Sequence, residues 1–281
     1  MHEFQYCDSS LEKNKSDSYH LSIQAGLDGF SFTVVDPYRN QYLALSHFPI
    51  EARPDLQKLT GIIKDTLSAR ELLNLGYNSV SCIVTGSRST LLPGILFNKN
   101  HIRSYFEFNH EMEELDELHF NYLKHIDAYL IFPVYQEISN LLFRHFPKLK
   151  LFNQAAPFIE STLVRKEHEQ QVSVYFQSDF FDIIYLRGRQ LILHNNFRYR
   201  DPKDIIYFIL FTCDKLKLDP ATVPVCLSGD VSIQSVETEI ISQFFRNVSF
   251  ARTDKQFIYP AAFNKLPEHA FLNLLNLYHC E

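Results

Sequence analysis

The sequence contains no tryptophan, five cysteines and only eight glycines among its 281 residues. This glycine content is well under half of the roughly 7% found in average proteins. Phosphate-binding loops concentrate glycine, because the backbone approaches a phosphate closely only where side chains are absent. The scarcity of glycine therefore argues against an intact nucleotide site.

The five cysteines are odd in number and widely spaced, and no two of them form a CxxC pair. This spacing argues against a disulfide framework and against a structural zinc site. Cys82 and Cys226 both lie in apolar runs with the character of strands. We expect both thiols to be buried rather than reactive.

No uninterrupted apolar run approaches the roughly 18 residues that a membrane span needs. The N-terminal stretch MHEFQYCDSSLEKNKSD is polar and lacks the charged-then-apolar order of a secretion signal. We therefore expect a cytoplasmic protein with no membrane span. The net charge of −6 provides no overall attraction for nucleic acid, which we do not expect as a partner.

Aromatic residues are abundant, and the stretch FRYR (197–200) alternates them with arginines. Such alternation can stack nucleic-acid bases. In a strand, however, it places Phe197 and Tyr199 on one face and both arginines on the other. We expect a buried aromatic face with a solvated back.

An internal repeat is the most informative feature of the chain. Residues 19–50 and 172–201 share one pattern, in which three apolar strands are joined by short turns. Both segments are predicted to form antiparallel meanders. The apolar fraction of 46% is sufficient for two cores of ordinary size.

Each meander precedes a predicted helix, a short strand and a second helix. The first helix is predicted over about 54–76, with Gly76 as the residue that ends it. The helix of the second half is predicted to begin at Pro202, with Asp201 as its N-cap and Asp204 in its first turn. The short strands that follow these helices are predicted at 80–86 and 223–229. The second helix of each half is predicted at 91–106 and 235–245. A further strand is predicted after each, at 106–108 and 248–250.

The order βββαβα thus occurs twice, which predicts an α/β protein with two similar domains, each a mixed five-stranded sheet with flanking helices. This order resembles the duplicated ribonuclease-H-like core of actin, heat-shock chaperones and sugar kinases. We predict domains at 1–165 and 166–281, since the charged stretch RKEHEQQ (165–171) has the composition of a connector. The first domain carries an elaboration at about 107–135.

The acidic stretch of this elaboration contains two His/acid pairs at helical spacing, Glu107 with His110 and Asp116 with His119. Such pairs occur in di-metal helix bundles, but no second helix offers matching ligands, and a second histidine of an HExxH motif is missing. We therefore predict a solvated acidic helix, without a metal.

Four stretches resemble, over nearly the full chain, an uncharacterised bacterial family that is common in the Bacteroidetes and has an actin-like ATPase fold without an assigned activity. They are LSIQAGLDGFSF (21–32), TLLPGILF (90–97), HNNFRYRDPKDIIYFIL (194–210) and FLNLLNLYHCE (271–281). The resemblance implies the fold and does not imply an activity.

The actin-like resemblance also implies where a nucleotide site would lie. Such proteins place an aspartate and glycines in the first phosphate loop, where this chain has Gln24 in the aspartate position, then Gly26 and Asp28. In the second loop, Gln177 takes the aspartate position and Asp179 replaces a glycine. Glutamine cannot supply the charge that holds Mg²⁺.

Near the adenosine position, Gly229 is followed by Asp230 rather than by a second glycine. A carboxylate there repels phosphate. The first hypothesis is therefore a non-catalytic interaction protein without a cofactor, which resembles pilus-assembly ATPases and binds a protein partner through its elaboration. The alternative is a divergent ATPase or phosphotransferase that binds ATP and Mg²⁺ through Asp28, Asp179, Asp182 or Asp230.

Overall fold

The computed structural model describes residues 2–50, 54–165 and 168–280. By its contacts the chain forms two compact units. The first comprises Met1–Pro157, Asp254–Lys265 and Leu274–Glu281, and the second comprises Phe158–Thr253 and Leu266–Asn273. The predicted boundary is at 165/166, whereas the contacts divide the chain after Pro157 and assign two late segments to the first unit.

The first unit contains a six-stranded mixed sheet with the order β1-β4-β3-β2-β5-β9. Its strands are β1 (Phe4–Cys7), β2 (His20–Gly26), β3 (Gly29–Asp36), β4 (Gln41–Pro49), β5 (Ser79–Val84) and β9 (Leu149–Asn153), and its helices include α1 (Leu56–Ala69) and α3 (Gln136–His145). Alternate residues of β2 and β3, such as Ile23 and Phe32, pack with Ile63 of α1 and Leu142 of α3. Side chains at the intervening positions, including Gln24, therefore lie on the opposite face.

The second unit contains a five-stranded mixed sheet with the order β12-β11-β10-β13-β14. Its elements include β10 (Gln170–Phe176), β11 (Phe180–Arg187), β12 (Gln190–Arg198), α5 (Pro202–Leu216), β13 (Val225–Gly229), α6 (Val236–Phe244) and β14 (Val248–Phe250). Val174 and Ile183 pack against Ile209 of α5 and Ile241 of α6. The prediction of an α/β fold with two mixed sheets is confirmed, and β1 is an additional strand.

Both predicted meanders form, because their turn residues and their alternating apolar positions favour the same strands and turns. Successive strands pair antiparallel in β2-β3-β4 and in β10-β11-β12. Phe197 and Tyr199 face the second core, whereas Arg198 and Arg200 are exposed, which confirms the alternation predicted for FRYR. The predicted burial of Cys82 and Cys226 is also confirmed, and burial raises the pKa of the Cys82 thiol.

A separate three-stranded sheet, β6-β8-β7, lies within the first unit. Its strands are β6 (Thr90–Pro93), β7 (Asp116–Leu123) and β8 (Ala128–Tyr135), and the short helix α2 is Ile102–Glu107. The prediction of a helix over 91–106 is thus largely wrong, as is that of an acidic helix through Asp116 and His119. The predicted strand at 106–108 is wrong as well, since Phe106 belongs to α2.

Helix boundaries follow local capping chemistry. Asp201 accepts a hydrogen bond from the backbone N–H of Lys203, and the Asp204 carboxylate accepts one from the N–H of Asp201. The predicted cap of α5 is therefore confirmed. In contrast, α1 ends at Ala69 and a separate 3₁₀ turn follows, so the prediction that Gly76 ends this helix is wrong.

Strand β9 and helix α4 (Ala155–Arg165) were not predicted as separate elements. The predicted connector RKEHEQQ lies partly outside the described residues, since residues 166 and 167 fall in a gap. Helix α7 (Leu272–Asn276) lies close to the end of the chain. Among the residues the structure describes, no helix has both the length and the apolar character to cross a membrane.

Candidate functional site

The first predicted phosphate loop is a tight hairpin between β2 and β3. Its two-residue turn is Leu27–Asp28, and the carbonyl of Asp28 accepts a hydrogen bond of 3.0 Å from the N–H of Ile50. A Cβ atom on Gly26 would lie 2.0 Å from Oγ1 of Thr85, the residue after β5, so close packing against this side chain explains the glycine. Gln24 is half-buried beside Ser31 and Ile83 in the sheet register.

The second predicted loop is the hairpin between β10 and β11. The N–H of Gln177 donates to the carbonyl of Phe180 at 2.9 Å, which leaves Ser178 and Asp179 as the turn. The Asp179 carbonyl accepts a hydrogen bond of 2.9 Å from the N–H of Tyr199. The Tyr199 hydroxyl donates to the Gln177 carbonyl at 2.6 Å.

These hydrogen bonds define which residues of the two hairpins are equivalent. Asp28 and Asp179 take the same turn position, because the carbonyl of each accepts from the chain that follows the third strand. Ala25 pairs with Phe30 as Phe176 pairs with Phe181, so Gln24 corresponds to Tyr175 and Gln177 to Gly26. The expectation that Gln24 and Gln177 are equivalent is therefore wrong by two residues.

The structure brings Gln177, Gly229 and Asp230 together around the end of β10. Gly229 has φ +84°, and a Cβ atom there would lie 2.2 Å from the carbonyl oxygen of Phe176. The N–H of Asp230 donates to the same carbonyl at 2.9 Å. Gly229 is thus required by the close approach of two backbones, while the side chain of Asp230 is exposed.

Asp182 is fully buried in β11, on the face opposite the α5 and α6 helices. Its Oδ1 lies 3.1 Å from His194 Nε2 and 3.1 Å from Asn196 Nδ2, both on β12. These contacts compensate for the burial of the carboxylate. Among the described residues there is no group of three or more His, Cys, Asp or Glu side chains that could hold a metal ion.

A groove of about 610 Å³ lies beside the three-stranded sheet. Its wall includes all six consecutive residues 117–122 of β7 and residues 150–152 of β9. Successive side chains of a strand point to opposite faces, so a cavity can be lined by such a run only along the edge of the strand. The groove therefore follows two strand edges.

One side chain, which projects from a face of β7, ties this strand to β9. Asn121 Nδ2 donates to the Leu151 carbonyl at 2.8 Å, and Asn121 Oδ1 accepts from the Asn153 N–H at 3.1 Å. The loop before β6 is tied to β7 by a bidentate ion pair of 2.6 and 2.9 Å between Arg88 and Asp116. These contacts within the first unit form the groove in the absence of a ligand.

Among the described residues that line the groove are three exposed lysines, Lys99, Lys124 and Lys150, and one carboxylate, Glu117. Glu117 accepts a hydrogen bond from the buried Ser139 hydroxyl, and its Oε2 lies 3.6 Å from His119 Nε2. Burial lowers the pKa of His119, which favours the neutral imidazole. The groove is therefore positively charged, although the chain as a whole has a net charge of −6.

Large apolar side chains are also exposed on the segment 90–135, which we call the insertion. Ile95 is 92% exposed and Phe108 is 88% exposed, and Leu96, Leu115 and Tyr122 also face solvent. Scattered exposed apolar residues are normal, but several within one short segment are typical of interaction surfaces.

Sequence reasoning missed the groove because the acidic residues 111–117 suggested a helix. The signal that could have revealed it is the alternation of Leu118, Phe120 and Tyr122 with polar residues, which is typical of a strand. The lysines come from three separate places in the chain. Only the fold brings them together.

Comparison with solved structures defines the class of fold. A protein of unknown function with an actin-like ATPase fold from Bacteroides thetaiotaomicron VPI-5482 superposes with a TM-score of 0.84 at 22% identity, covering 97% of this chain and 100% of that one. A structure of the PilM–PilN type IV pilus biogenesis complex gives 0.57 at 12% identity, with 93% and 98% coverage. The ethanolamine utilization protein EutJ from Carboxydothermus hydrogenoformans gives 0.51 at 10% identity, with 92% and 88% coverage.

The protein therefore has an actin-like ATPase fold. Residues 8–248 match the family described as "Protein of unknown function (DUF3822)", and the chain belongs to this family. No curated protein matches the chain. The family and the fold leave the activity open, because one fold supports many functions.

Proposed function

We propose that this protein is a non-catalytic interaction protein that binds a protein partner through its insertion. The observation that carries this proposal is the set of exposed large apolar side chains on the insertion, above all Ile95 and Phe108. A surface of this kind is costly to leave in water unless it is covered in a complex. The PilM–PilN structure shows that a protein with a similar fold forms a complex.

The chemistry of the two hairpins supports the absence of ATP hydrolysis. The equivalent strand-end positions hold Gln24 and Tyr175, neither of which can provide the negative charge that Mg²⁺ requires. Gly26 and Gly229 are explained by packing against Thr85 and Phe176. We therefore interpret the phosphate loops as degenerate, retained for the sheets that they connect.

The matching strand orders of the two sheets support an origin by internal duplication. We also propose a cytoplasmic location in a bacterium, and the five free cysteines, three of them buried, agree with a reducing compartment. We do not propose a nucleic-acid partner.

The alternative function is a divergent ATPase or phosphotransferase. The equivalent positions of Asp28 and Asp179 favour it, because each places a carboxylate, the type of ligand that Mg²⁺ prefers, in the turn of its hairpin. Asp230 is exposed and could join Asp179. Asp182 is a weaker candidate, since His194 and Asn196 already occupy its Oδ1.

Calorimetric titration with Mg-ATP separates the two functions. The interaction protein shows no heat of binding at millimolar nucleotide. Binding in the micromolar range that is lost in both Asp28→Asn and Asp179→Asn, but retained in Asp214→Asn on the exposed side of α5, would support the ATPase instead.

Site-specific photo-crosslinking in native host cells tests the partner surface. A crosslinking amino acid at position 108 is expected to give a discrete protein adduct, and the same amino acid at position 38 is the control, since Tyr38 is 87% exposed in a turn of the first unit outside the insertion. Equal adducts at both positions, or none at position 108, would count against the proposal.

A further inference from the structure

The groove beside β7 has features that define the chemistry of its occupant. Strand β7 is an edge strand of its sheet, and residues 117–122 line the groove along that edge. An edge strand presents N–H and C=O groups that an extended chain can pair with. The occupant that fits such an edge is therefore an extended peptide segment rather than a helix.

The charge of the groove selects the side chains of that segment. Among the described residues, no carboxylate forms an ion pair with Lys99, Lys124 or Lys150. Lys124 Nζ donates to the neutral carbonyl of His279 at 3.2 Å, and Lys99 Nζ lies 5.9 Å from the Phe120 ring. Three lysines that have no carboxylate partner within the described part of the chain are complementary to an acidic ligand.

Much of the remaining wall of the groove is apolar. Phe120, Phe143 and Phe152 line it together with Leu118 and Ile102. Lys99 lies 5.9 Å from the Phe120 ring, and the His119 ring lies 6.1 Å from that of Phe143, so apolar side chains lie on both faces of β7 and a lysine shares one of these faces. A segment that contains both acidic and apolar residues satisfies this lining.

We propose that the groove between β7 and β9 binds an extended acidic segment of the partner protein, which adds to the edge of β7. This inference rests on the proposed partner-binding function and specifies the ligand class of that site. The side chain of Asn121 projects from a face of β7 and binds the backbone of β9, so β7 is held in place before binding, which reduces the entropy lost on association.

Fluorescence anisotropy with a short labelled peptide of alternating glutamate and valine tests the proposal. The full-length protein is expected to bind this peptide at least about tenfold more tightly than the same peptide with lysine in place of glutamate. The double substitution Lys99→Glu with Lys150→Glu is expected to weaken binding by about tenfold or more. The matched control Lys64→Glu with Lys215→Glu makes the same change in net charge elsewhere and is expected to stay within about twofold.

A second readout tests pairing with the strand edge. Two versions of the acidic peptide, N-methylated at alternate residues in either register, lose the N–H groups of one edge but keep their charge. At least one of them is expected to bind about tenfold more weakly. Thermal unfolding of both protein variants checks that they remain folded.

The proposal is overturned if the acidic peptide does not bind, if it binds no better than the lysine peptide, if the control pair weakens binding equally, or if neither methylated peptide differs. A discrete crosslinked adduct at position 108 without acidic-peptide binding would retain the partner-binding function and reject this ligand class. If neither the crosslinked adduct nor acidic-peptide binding is observed, both the partner-binding function and this ligand class are rejected.

Discussion

At the scale of single residues, Gly229 occupies a position that no other residue fits. Its φ of +84° is unfavourable for L-residues, and a Cβ atom would lie 2.2 Å from the Phe176 carbonyl oxygen, which is backbone and cannot rotate away. We expect Gly229→Ala to lower the free energy of unfolding by about 2–4 kcal/mol, measured by urea denaturation.

The matched control for this substitution is Gly61→Ala. Gly61 lies within α1, and an added Cβ meets no atom within 4 Å. Because alanine favours helix over glycine, this variant is expected to gain about 0.5–1 kcal/mol. Equal effects at the two glycines would contradict the explanation of Gly229 by a backbone contact.

His47 gives a second residue-scale prediction, for the dependence of stability on pH. Its Nδ1 lies 2.8 Å from Ser31 Oγ, and burial lowers the pKa of the imidazole from 6.5 to about 4. The folded state thus prefers the neutral form, so its contribution to stability is complete above pH 6.5 and is lost as the pH falls towards 4. After allowance for partial exposure we expect this loss to be about 1–2 kcal/mol.

Urea denaturation of the wild type and of His47→Gln between pH 7 and pH 4 measures this contribution. Glutamine can keep the hydrogen bond to Ser31 but does not titrate, so the variant is expected to lose less stability on acidification. His101→Gln changes an exposed histidine and is expected to follow the wild type. A parallel decline of His47→Gln and wild type would contradict the assignment.

At the scale of elements, the start of α5 depends on its capping box. The Asp201 carboxylate accepts from the Lys203 N–H at 2.8 Å, which satisfies a backbone donor that the helix itself cannot pair. We expect Asp201→Ala to cost about 1 kcal/mol in thermal or chemical unfolding, and Asp201→Ser, which keeps a cap, to cost only a few tenths. Similar losses for both variants would mean that the carboxylate acts in another way.

The elements that sequence reasoning predicted correctly have strong local signals. Asp201, Pro202 and Asp204 together specify a helix start, and the two meanders are specified by alternation and turns. The insertion was predicted poorly because its acidic composition outweighed the weaker alternation of β7. Helix α1 was extended too far because the apolar pattern continues through Leu72 and Leu73 in a separate 3₁₀ turn.

The candidate site was harder to predict than the elements. Alignment of the two repeats by residue type pairs Gln24 with Gln177, whereas the hydrogen-bond register pairs Gln24 with Tyr175. A shift of two residues keeps a side chain on the same face of a strand, so periodicity could not detect this error. The groove depends on β7 and β9 meeting through Asn121, which is a tertiary contact without a local signal.

At the scale of the whole molecule, the first unit is built from segments that are far apart in the sequence. Tyr42 of β4 is buried among Phe257, Tyr259 and Phe263, with ring centroids 5.1 to 6.5 Å away, and its hydroxyl donates to the Leu275 carbonyl. The backbone of Ile258 also pairs with Asn40 and Tyr42. The ring of His20 lies 5.1 Å from that of Tyr278. The late segments therefore complete the core of the first unit.

A fragment of residues 1–165, the predicted first domain, is accordingly expected to fold incompletely. It would expose Tyr42 and lose several aromatic contacts, at a cost of about 3–5 kcal/mol for the tyrosine alone, which is a large part of the stability of an ordinary domain. We expect poor dispersion of its amide signals in NMR spectra and binding of a hydrophobic dye.

Point variants in the full chain test the same contact without truncation. Tyr42→Phe removes only the hydroxyl and its hydrogen bond to Leu275, so it is expected to cost about 1 kcal/mol, whereas Tyr42→Ala is expected to cost about 3–5 kcal/mol. If the 1–165 fragment instead unfolds cooperatively with dispersed spectra, the late segments do not complete the core. If Tyr42→Ala is also mild, the aromatic cluster around Tyr42 contributes little, and the unit is held together by its sheet and helices alone.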